Sequence, residues 1–361
     1  MIKKIDWYIL RKFITTFVFS MLLFTVIAVA VDSSEKTDDF VNTGLSTGEI
    51  IRQYYFGFVP FIWGLLYPLF VFISVIFFTS KMALRSEIIA ILAAGVSFNR
   101  WLRPYLLGGI FFGAGLWVAN QYYIPKANEL RSTFEVKHLG KGNSNQGLQP
   151  AHYLRIDTNT YIGVKYYDTT TKTAGNFFLD RIQGGKLVYN VRAGRMQWDT
   201  TRNQWLLTSV VERKLGTMGE QVVFKDSMRM PLNLHPEELR KDDYAKDRMT
   251  TPDLSRYIKV EELRGTEGLN ALKVEKFRRS ATPFSVVLLT LIGAIVAGRK
   301  NRGGSGLHLA IGIIIAAVFI VSDRFSTVFS VKGNLPPLLA AWLPNIFFSF
   351  VALYIYRKAP K

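Results

Sequence analysis

Apolar and polar positions alternate along this chain on two different scales. Six long runs carry no Lys, Arg, Asp or Glu: Phe13 to Val31, Phe56 to Ser80, Pro104 to Ile124, Ala281 to Gly298, Leu307 to Ser322 and Pro337 to Tyr356. Each is apolar on every face instead of striped at a period near 3.6, and a helix crossing the hydrocarbon core takes roughly 20 such residues. Six transmembrane helices are predicted, the fifth only narrowly long enough. Between the third and fourth runs the period falls to two. Alternating segments follow one another at His152 to Ile156, Thr160 to Tyr167, Asn176 to Ile182, Leu187 to Arg192, Arg195 to Trp198, Gln204 to Glu212 and Gln221 to Phe224. Turn formers separate them, including Asp157-Thr158-Asn159, Gly184-Gly185 and Asp199 to Asn203. Antiparallel strands in a sandwich, jelly roll or open barrel are expected.

Helical patterns flank the strands. From Tyr122 the third span is expected to run on as a polar helix through Lys126, Glu129 and Arg131, up to a Gly, Asn and Gln-rich loop from Lys141 to Pro150. Thr251-Pro252 reads as the N-cap and first residue of a helix over Asp253 to Leu263, and a further helix from Leu269 feeds the fourth span. The predicted organisation is residues 1–124 with three spans, 125–280 as an extramembrane β domain with flanking helices, and 281–361 with three more spans. Gly109 and Gly113 have the spacing that lets helices approach closely. Pro60, Pro68 and Pro344 interrupt helix hydrogen bonding within spans, whereas Pro336-Pro337 should start the sixth, with Asn334 as its cap.

Charge orients this layout. A net charge of +18 would suit nucleic acid if it were clustered with stacking aromatics, but it is not. Lys3, Lys4, Arg11 and Lys12 precede the first span; Lys81, Arg85, Arg100 and Arg103 lie between the second and third; Arg299, Lys300 and Arg302 follow the fourth; Arg357, Lys358 and Lys361 close the chain. By the positive-inside rule these alternate loops are cytoplasmic, which places both termini inside and the β domain outside. The basic cluster Lys273, Lys276, Arg278 and Arg279 then lies outside, as long translocated loops permit. Ala28-Val29-Ala30 could also end a signal peptide, but the apolar stretch before it exceeds the usual signal core, so a span is the preferred reading.

No enzymatic constellation emerges. His138, His152, His235 and His308 are scattered without metal-ligand spacing, and Gly184-Gly185-Lys186 continues into Leu187 as a hairpin turn and not a phosphate loop. With no cysteine, the outer domain must be held by its own core, for which about 150 residues suffice.

The loop between the second and third spans is the most suggestive short segment. Leu84, Ile88, Ile91 and Leu92 form an apolar stripe over a short helix, 84–95, which Gly95 can end; Arg85, Ser86 and Glu87 stand at its start. Ser86 could simply cap the helix and Glu87 complement its positive end, or the segment could dock a partner.

Four segments carry a resemblance. Ile5-Asp6-Trp7-Tyr8-Ile9-Leu10, Arg85 through Gly95 (Arg-Ser-Glu-Ile-Ile-Ala-Ile-Leu-Ala-Ala-Gly), Arg299-Lys300-Asn301-Arg302-Gly303-Gly304 and Leu335 through Asn345 (Leu-Pro-Pro-Leu-Leu-Ala-Ala-Trp-Leu-Pro-Asn) resemble the LptF/LptG lipopolysaccharide export permeases, the last two leaning toward the LptG branch. The resemblance implies an α-helical membrane protein with six transmembrane helices and an inserted all-β, jellyroll-like periplasmic domain, in the bacterial inner membrane. It implies a permease subunit, not an enzyme, that extracts lipopolysaccharide and passes it to a periplasmic bridge. The expected partners are a cytoplasmic LptB-like ABC ATPase, an LptF-like second half, LptC/LptA-like jellyroll bridge proteins and lipopolysaccharide, with no nucleic acid. No cofactor is expected in this chain; ATP and Mg would be held by the partner ATPase. A non-transporting, membrane-anchored scaffold that binds an envelope component is the alternative.

Residue roles follow from the same resemblance. Glu87, with Arg85 and Ser86, is carried over as the ATPase-coupling segment. Basic residues on span one of the family meet lipid phosphates, and here Lys36 alone qualifies, among Asp32, Glu35, Asp38 and Asp39. Arg131, Lys276, Arg278 and Arg279 are therefore further candidates for phosphate contact. Inside the β domain, Tyr161, Phe177 and Trp205 are candidates to face an apolar interior, although alternation alone leaves the face open.

Overall fold

The computed structural model describes residues 3–139, 148–149, 152–216, 219–239, 245–266, 268–299 and 304–359. Most of the expected Lys141 to Pro150 loop, and residues 300–303 of the basic loop, lie outside these. Two compact units make up the chain. Met1–Phe134, Lys246–Ser255 and Asn270–Lys361 form one, and Glu135–Ala245 with Arg256–Leu269 the other.

The first unit is helical. Its elements are α1 (Lys4–Glu35), α2 (Thr37–Asn42), α3 (Thr47–Ile50), α4 (Phe56–Leu84), α5 (Glu87–Ala93), α6 (Phe98–Val118) and the start of α7 (Ile124–His138). After the β-rich insert come α8 (Ala245–Arg248), the start of α9 (Thr251–Arg264), α10 (Leu269–Ala297), α11 (Gly304–Lys332) and α12 (Pro337–Arg357). π-helical turns at Ile51–Tyr55 and Ala119–Tyr123 join α3 to α4 and α6 to α7. Among the described residues, six helices are long and apolar enough to cross a membrane, as expected. The fifth is longer than its apolar run, because α11 continues through Asp323 and Arg324 to Lys332. α1 runs unbroken through Ala28-Val29-Ala30.

Close helix approach depends on small residues, and two of them do what their spacing suggests. A Cβ on Gly113 would stand 2.9 Å from the Pro283 carbonyl oxygen, and one on Gly109 would stand 3.3 Å from Val287 Cα. The glycine face of α6 therefore seats against α10 in the same chain. α10 and α12 are tied by buried polar bonds, with Ser285 Oγ donating to Asn345 Oδ1 at 2.7 Å and Asn345 Nδ2 to the Ala281 carbonyl at 2.8 Å. Such pairs between membrane helices contribute about 0.6–2 kcal/mol each. Pro60, Pro68 and Pro344 sit within continuous helices. At α12 the cap position is held by Pro336, with no side-chain capping bond, so Asn334 is not the cap. The sixth span starts from proline's preset φ alone.

The second unit holds one antiparallel eight-stranded sheet: β1 (Leu148–Gln149), β2 (His152–Asp157), β3 (Thr160–Val164), β4 (Tyr166–Asp168), β5 (Thr173–Gln183), β6 (Lys186–Asp199), β7 (Gln204–Gly216) and β8 (Gly219–Met230). Strands β5 to β8 form a meander; β3 and β4 share the other edge of β5, with β2 beyond β3 and β1 beyond β4. The expected single strand from Thr160 to Tyr167 breaks at Lys165. In contrast, the two short segments around Ala193 merge into one long β6. Gly184 and Gly185 both take positive φ in the two-residue β5–β6 turn, the geometry a tight hairpin requires. One sheet face carries the core, including Leu154, Ile162, Phe177, Leu179, Val191, Met196, Trp205 and Leu207. Phe177 and Trp205 face it, whereas Tyr161 is exposed.

The helix after Thr250 is capped one residue earlier than expected. The Thr250 carbonyl accepts from the Leu254 N–H at 2.8 Å, and its hydroxyl bonds the Asp253 carboxylate. Thr250 is thus the cap and Pro252 the second helical residue, where its missing N–H still costs nothing.

Candidate functional site

Two constellations in the helical unit bring the candidate residues together. The first surrounds the turn between α4 and α5. Leu84 ends α4 instead of belonging to the short helix, which is only Glu87–Ala93; Ile88 is its buried anchor, with Ile91 and Leu92 half-buried. Ser86 occupies the cap position at φ 59°, and its side chain makes no capping bond. The left-handed turn, not a cap, sets the direction of α5. Gly95, at φ 83°, ends it, donating to the Leu92 carbonyl.

Glu87 points back to the first span. Lys12 Nζ and the Tyr8 hydroxyl both donate to Glu87 Oε2 at 2.9 Å, and the Lys12 ammonium lies 4.2 Å from the Tyr8 ring centroid. Partial burial works against the charged carboxylate, but the bonds from Lys12 and Tyr8, with the charges of Lys12 and Arg85, outweigh it and hold Glu87 below the usual carboxylate range. Among the described residues Oε1 makes no bond. The neighbouring ends of the helices are also tied: Arg100 forms a two-pronged pair with Asp6 at 2.5 and 2.6 Å, and Arg299 Nη2 donates to the Lys358 carbonyl at 2.7 Å.

The second constellation is a cavity of about 260 Å³ among α4, α7, α10, α11 and α12. Asp247, Glu275, Arg278, Asp323 and Arg324 line one part; Leu65, Leu69, Leu289, Phe319 and Ile320 are among the apolar residues that line the rest. Arg278 grips Glu275 through Nε at 3.1 Å and Nη2 at 2.6 Å. Burial, reinforced by the charge of Glu275, pushes the Asp247 carboxyl above its ordinary range.

The five basic candidates separate clearly. Lys36 Nζ donates to Asp32 Oδ1 at 2.7 Å and to the Tyr54 hydroxyl, which itself donates to Asp32. Arg131 bonds Asn128 Oδ1 at 3.0 Å, its guanidinium 4.0 Å from the Phe61 ring centroid. Arg279, only 4% exposed, donates to the carbonyls of Lys246 and Met249 and to Thr251 Oγ1, besides pairing with Glu275. Within the Lys276–Arg279 cluster, Arg279 is buried and fastened to backbone, not placed on a solvated or headgroup-contacting face. Arg278 is held by Glu275, and Lys276 makes no ion pair or hydrogen bond among the described residues. No group of three or more His, Asp or Glu among the described residues is placed to hold a metal.

Sequence reasoning did not find Tyr8, Lys12, Asp247, Asp323 or Arg324. The one available signal was Asp323-Arg324 directly after an apolar run, an expensive place for charge without a role.

Comparison with known proteins bears on the whole chain. A family model described as "Lipopolysaccharide export system permease LptF/LptG" matches residues 7–358. The lipopolysaccharide export system permease protein LptG of Escherichia coli strain K12 is 21% identical over 373 aligned positions, covering 98% of each chain, and its counterpart in Escherichia coli O6:H1 gives the same values. With a match spanning all six membrane helices and the inserted sheet, the chain belongs to the LptF/LptG family of lipopolysaccharide export system permeases.

Proposed function

We propose that the chain is one permease half of an ATP-driven exporter. It works with a separate cytoplasmic ATPase and a second, LptF-like half, extracts lipopolysaccharide from the inner membrane, and hands it to periplasmic bridge proteins of the LptC/LptA kind. Both termini are cytoplasmic in this reading and the β unit periplasmic, as the alternating basic loops argue. ATP and Mg belong to the partner. The observation that carries the coupling step is the geometry of Glu87. Its Oε2 is fixed to the first span by Lys12 and Tyr8, and its Oε1 stays open to a cation on the ATPase. Arg85 and Ser86 set the turn that presents it. For the phosphates of the cargo, Lys276 is the proposed contact, because Lys36, Arg131 and Arg279 are engaged within the chain and Arg278 keeps only Nη1 clear of Glu275.

The test is Glu87→Ala in vesicles reconstituted with ATPase and second half, reading complex assembly and lipid release together, with Arg299→Ala as the basic-loop control. Assembly or release should fall while membrane insertion is retained, since one partly exposed charge adds little to helix packing. Wild-type assembly and wild-type release in Glu87→Ala would remove the coupling role from this residue.

A further inference from the structure

The cavity has a polarity gradient that matches one leaflet of a bilayer. Moving inward means moving forward along α10 from Glu275 to Leu289 and backward along α11 from Arg324 to Ala316. At 1.5 Å per residue these are about 20 and 12 Å, and half of a hydrocarbon core is about 15 Å. Charge is confined to one end of both helices, and everything beyond it is apolar except Ser285 and Thr282.

The charged end is not self-satisfied. Among the described residues, the Asp323 carboxylate and the Arg324 guanidinium make no ion pair or side-chain hydrogen bond, and Arg278 commits Nε and Nη2 to Glu275 but not Nη1. Two guanidinium groups and one carboxylate thus face the cavity with unused hydrogen-bonding capacity at its headgroup end, where Asp323 is half-buried between the charges of Arg278 and Arg324 and Arg324 is exposed. Guanidinium is suited to phosphate oxygens, and a carboxylate that faces a lipid headgroup is suited to an ammonium. The wall is balanced in charge, with the carboxylates Asp247, Glu275 and Asp323 against Arg278, Arg279 and Arg324, which suits a zwitterionic headgroup better than one bearing several phosphates. Size points the same way: at ~10–15 Å³ of accessible volume per water-sized group, the cavity of about 260 Å³ holds about 20 methylene-sized groups, on the order of one acyl chain.

We propose that this cavity binds one bilayer phospholipid whose headgroup carries a phosphate and a primary ammonium. The phosphate meets Arg278 and Arg324, the ammonium meets Asp323, and one acyl chain enters between α4, α10 and α11 while the other stays in the bilayer. This site goes beyond the export reading and stands or falls separately from it.

The experiment uses the full chain in vesicles containing photoreactive phosphatidylethanolamine or phosphatidylglycerol of identical acyl chains, with crosslinks mapped to peptides. Labelling at Leu65, Phe319 and Ile320 should be about tenfold stronger with phosphatidylethanolamine, the effect of one charge-assisted hydrogen bond. Labelling at exposed Phe350 of α12 should not distinguish the two. Asp323→Asn should bring cavity labelling by phosphatidylethanolamine down to the phosphatidylglycerol level, and Ile320→Trp, which fills the cavity, should lower both at Leu65 and Phe319. Equal cavity labelling by the two lipids, no effect of Asp323→Asn, or no cavity labelling while Phe350 is labelled would each overturn the proposal. So would displacement of the label by lipopolysaccharide but not by unlabelled phosphatidylethanolamine, which would assign the cavity to cargo.

Discussion

Arg279 offers the sharpest division between a structural and a ligand-binding arginine. Its guanidinium donates at 2.7 Å to the Lys246 carbonyl and at 2.8 Å to the Met249 carbonyl, with Thr251 Oγ1 at 3.1 Å. These acceptors belong to α8 and the turn into α9, so one side chain of α10 fastens the returning segment. Arg279→Met keeps the aliphatic stem and removes every donor. Leaving buried acceptors unpaired costs about 1–3 kcal/mol each, and breaking a buried charged network about 3–5 kcal/mol. Taking about 3 kcal/mol as the local cost and 1.4 kcal/mol per decade, the opening equilibrium of residues 249–255 should rise about a hundredfold. Hydrogen–deuterium exchange on the full-length protein reads this directly, best at the Leu254 amide, which donates to the Thr250 carbonyl. Arg279→Lys should fall between, because an ammonium keeps the charge but not the planar fork. Lys276→Met, one turn away and unpaired, should leave exchange unchanged. If Arg279→Met exchanges within about threefold of the parent protein, the fastening argument based on buried donors is refuted.

Gly113→Val should lower the thermal midpoint of the purified protein, by the ~1–3 kcal/mol typical of overpacking, because its Cβ would meet the Pro283 carbonyl at 2.9 Å; Gly115→Ala, whose nearest neighbour is the Tyr67 hydroxyl at 3.9 Å, should not. Glu212 is held below the usual carboxylate range by the Lys225 bond, against burial and with help from Tyr189, so its contribution to β7–β8 pairing is present above about pH 4.5 and lost as pH falls through its lowered value. Exchange of β8 amides should therefore accelerate in acid beyond the intrinsic rate, and Lys225→Met should flatten that dependence; an unchanged profile would remove the pair from the account. Because the chain has no cysteine, single cysteines report orientation cleanly: one at Asn203 should react with an impermeant reagent from the periplasmic side and one at Asn301 should not, and the opposite pattern would invert the topology.

What could be read in advance follows from the range of the interactions involved. Apolar runs and period-two alternation are local, so six spans and an inserted antiparallel sheet were legible, down to the Gly184-Gly185 hairpin. Boundaries that depend on one dihedral were not. The short helix begins at Glu87 because Ser86 adopts φ 59°, which a Ser-Glu pair does not announce, and the cap at Thr250 in place of Thr251 is a one-residue matter of which hydroxyl meets Asp253. Site chemistry was legible only where it is sequence-local. Glu275 and Arg278 sit at i and i+3 and find each other as that spacing suggests. Glu87 looked like a complement to its own helix start, yet its bonds go to Lys12 and Tyr8, 75 and 79 residues away. Arg279 looked like one more charge in a basic cluster, and only the return of α8 against α10 reveals it as a fastener. The same physics explains why the cluster divides as it does. Lys276, Arg278 and Arg279 are nearly adjacent in sequence, but on a helix they project about 100° apart per residue. One turn can therefore offer an ammonium unpaired among the described residues, an arginine shared with a carboxylate at a cavity wall, and a buried arginine whose donors are committed to backbone carbonyls.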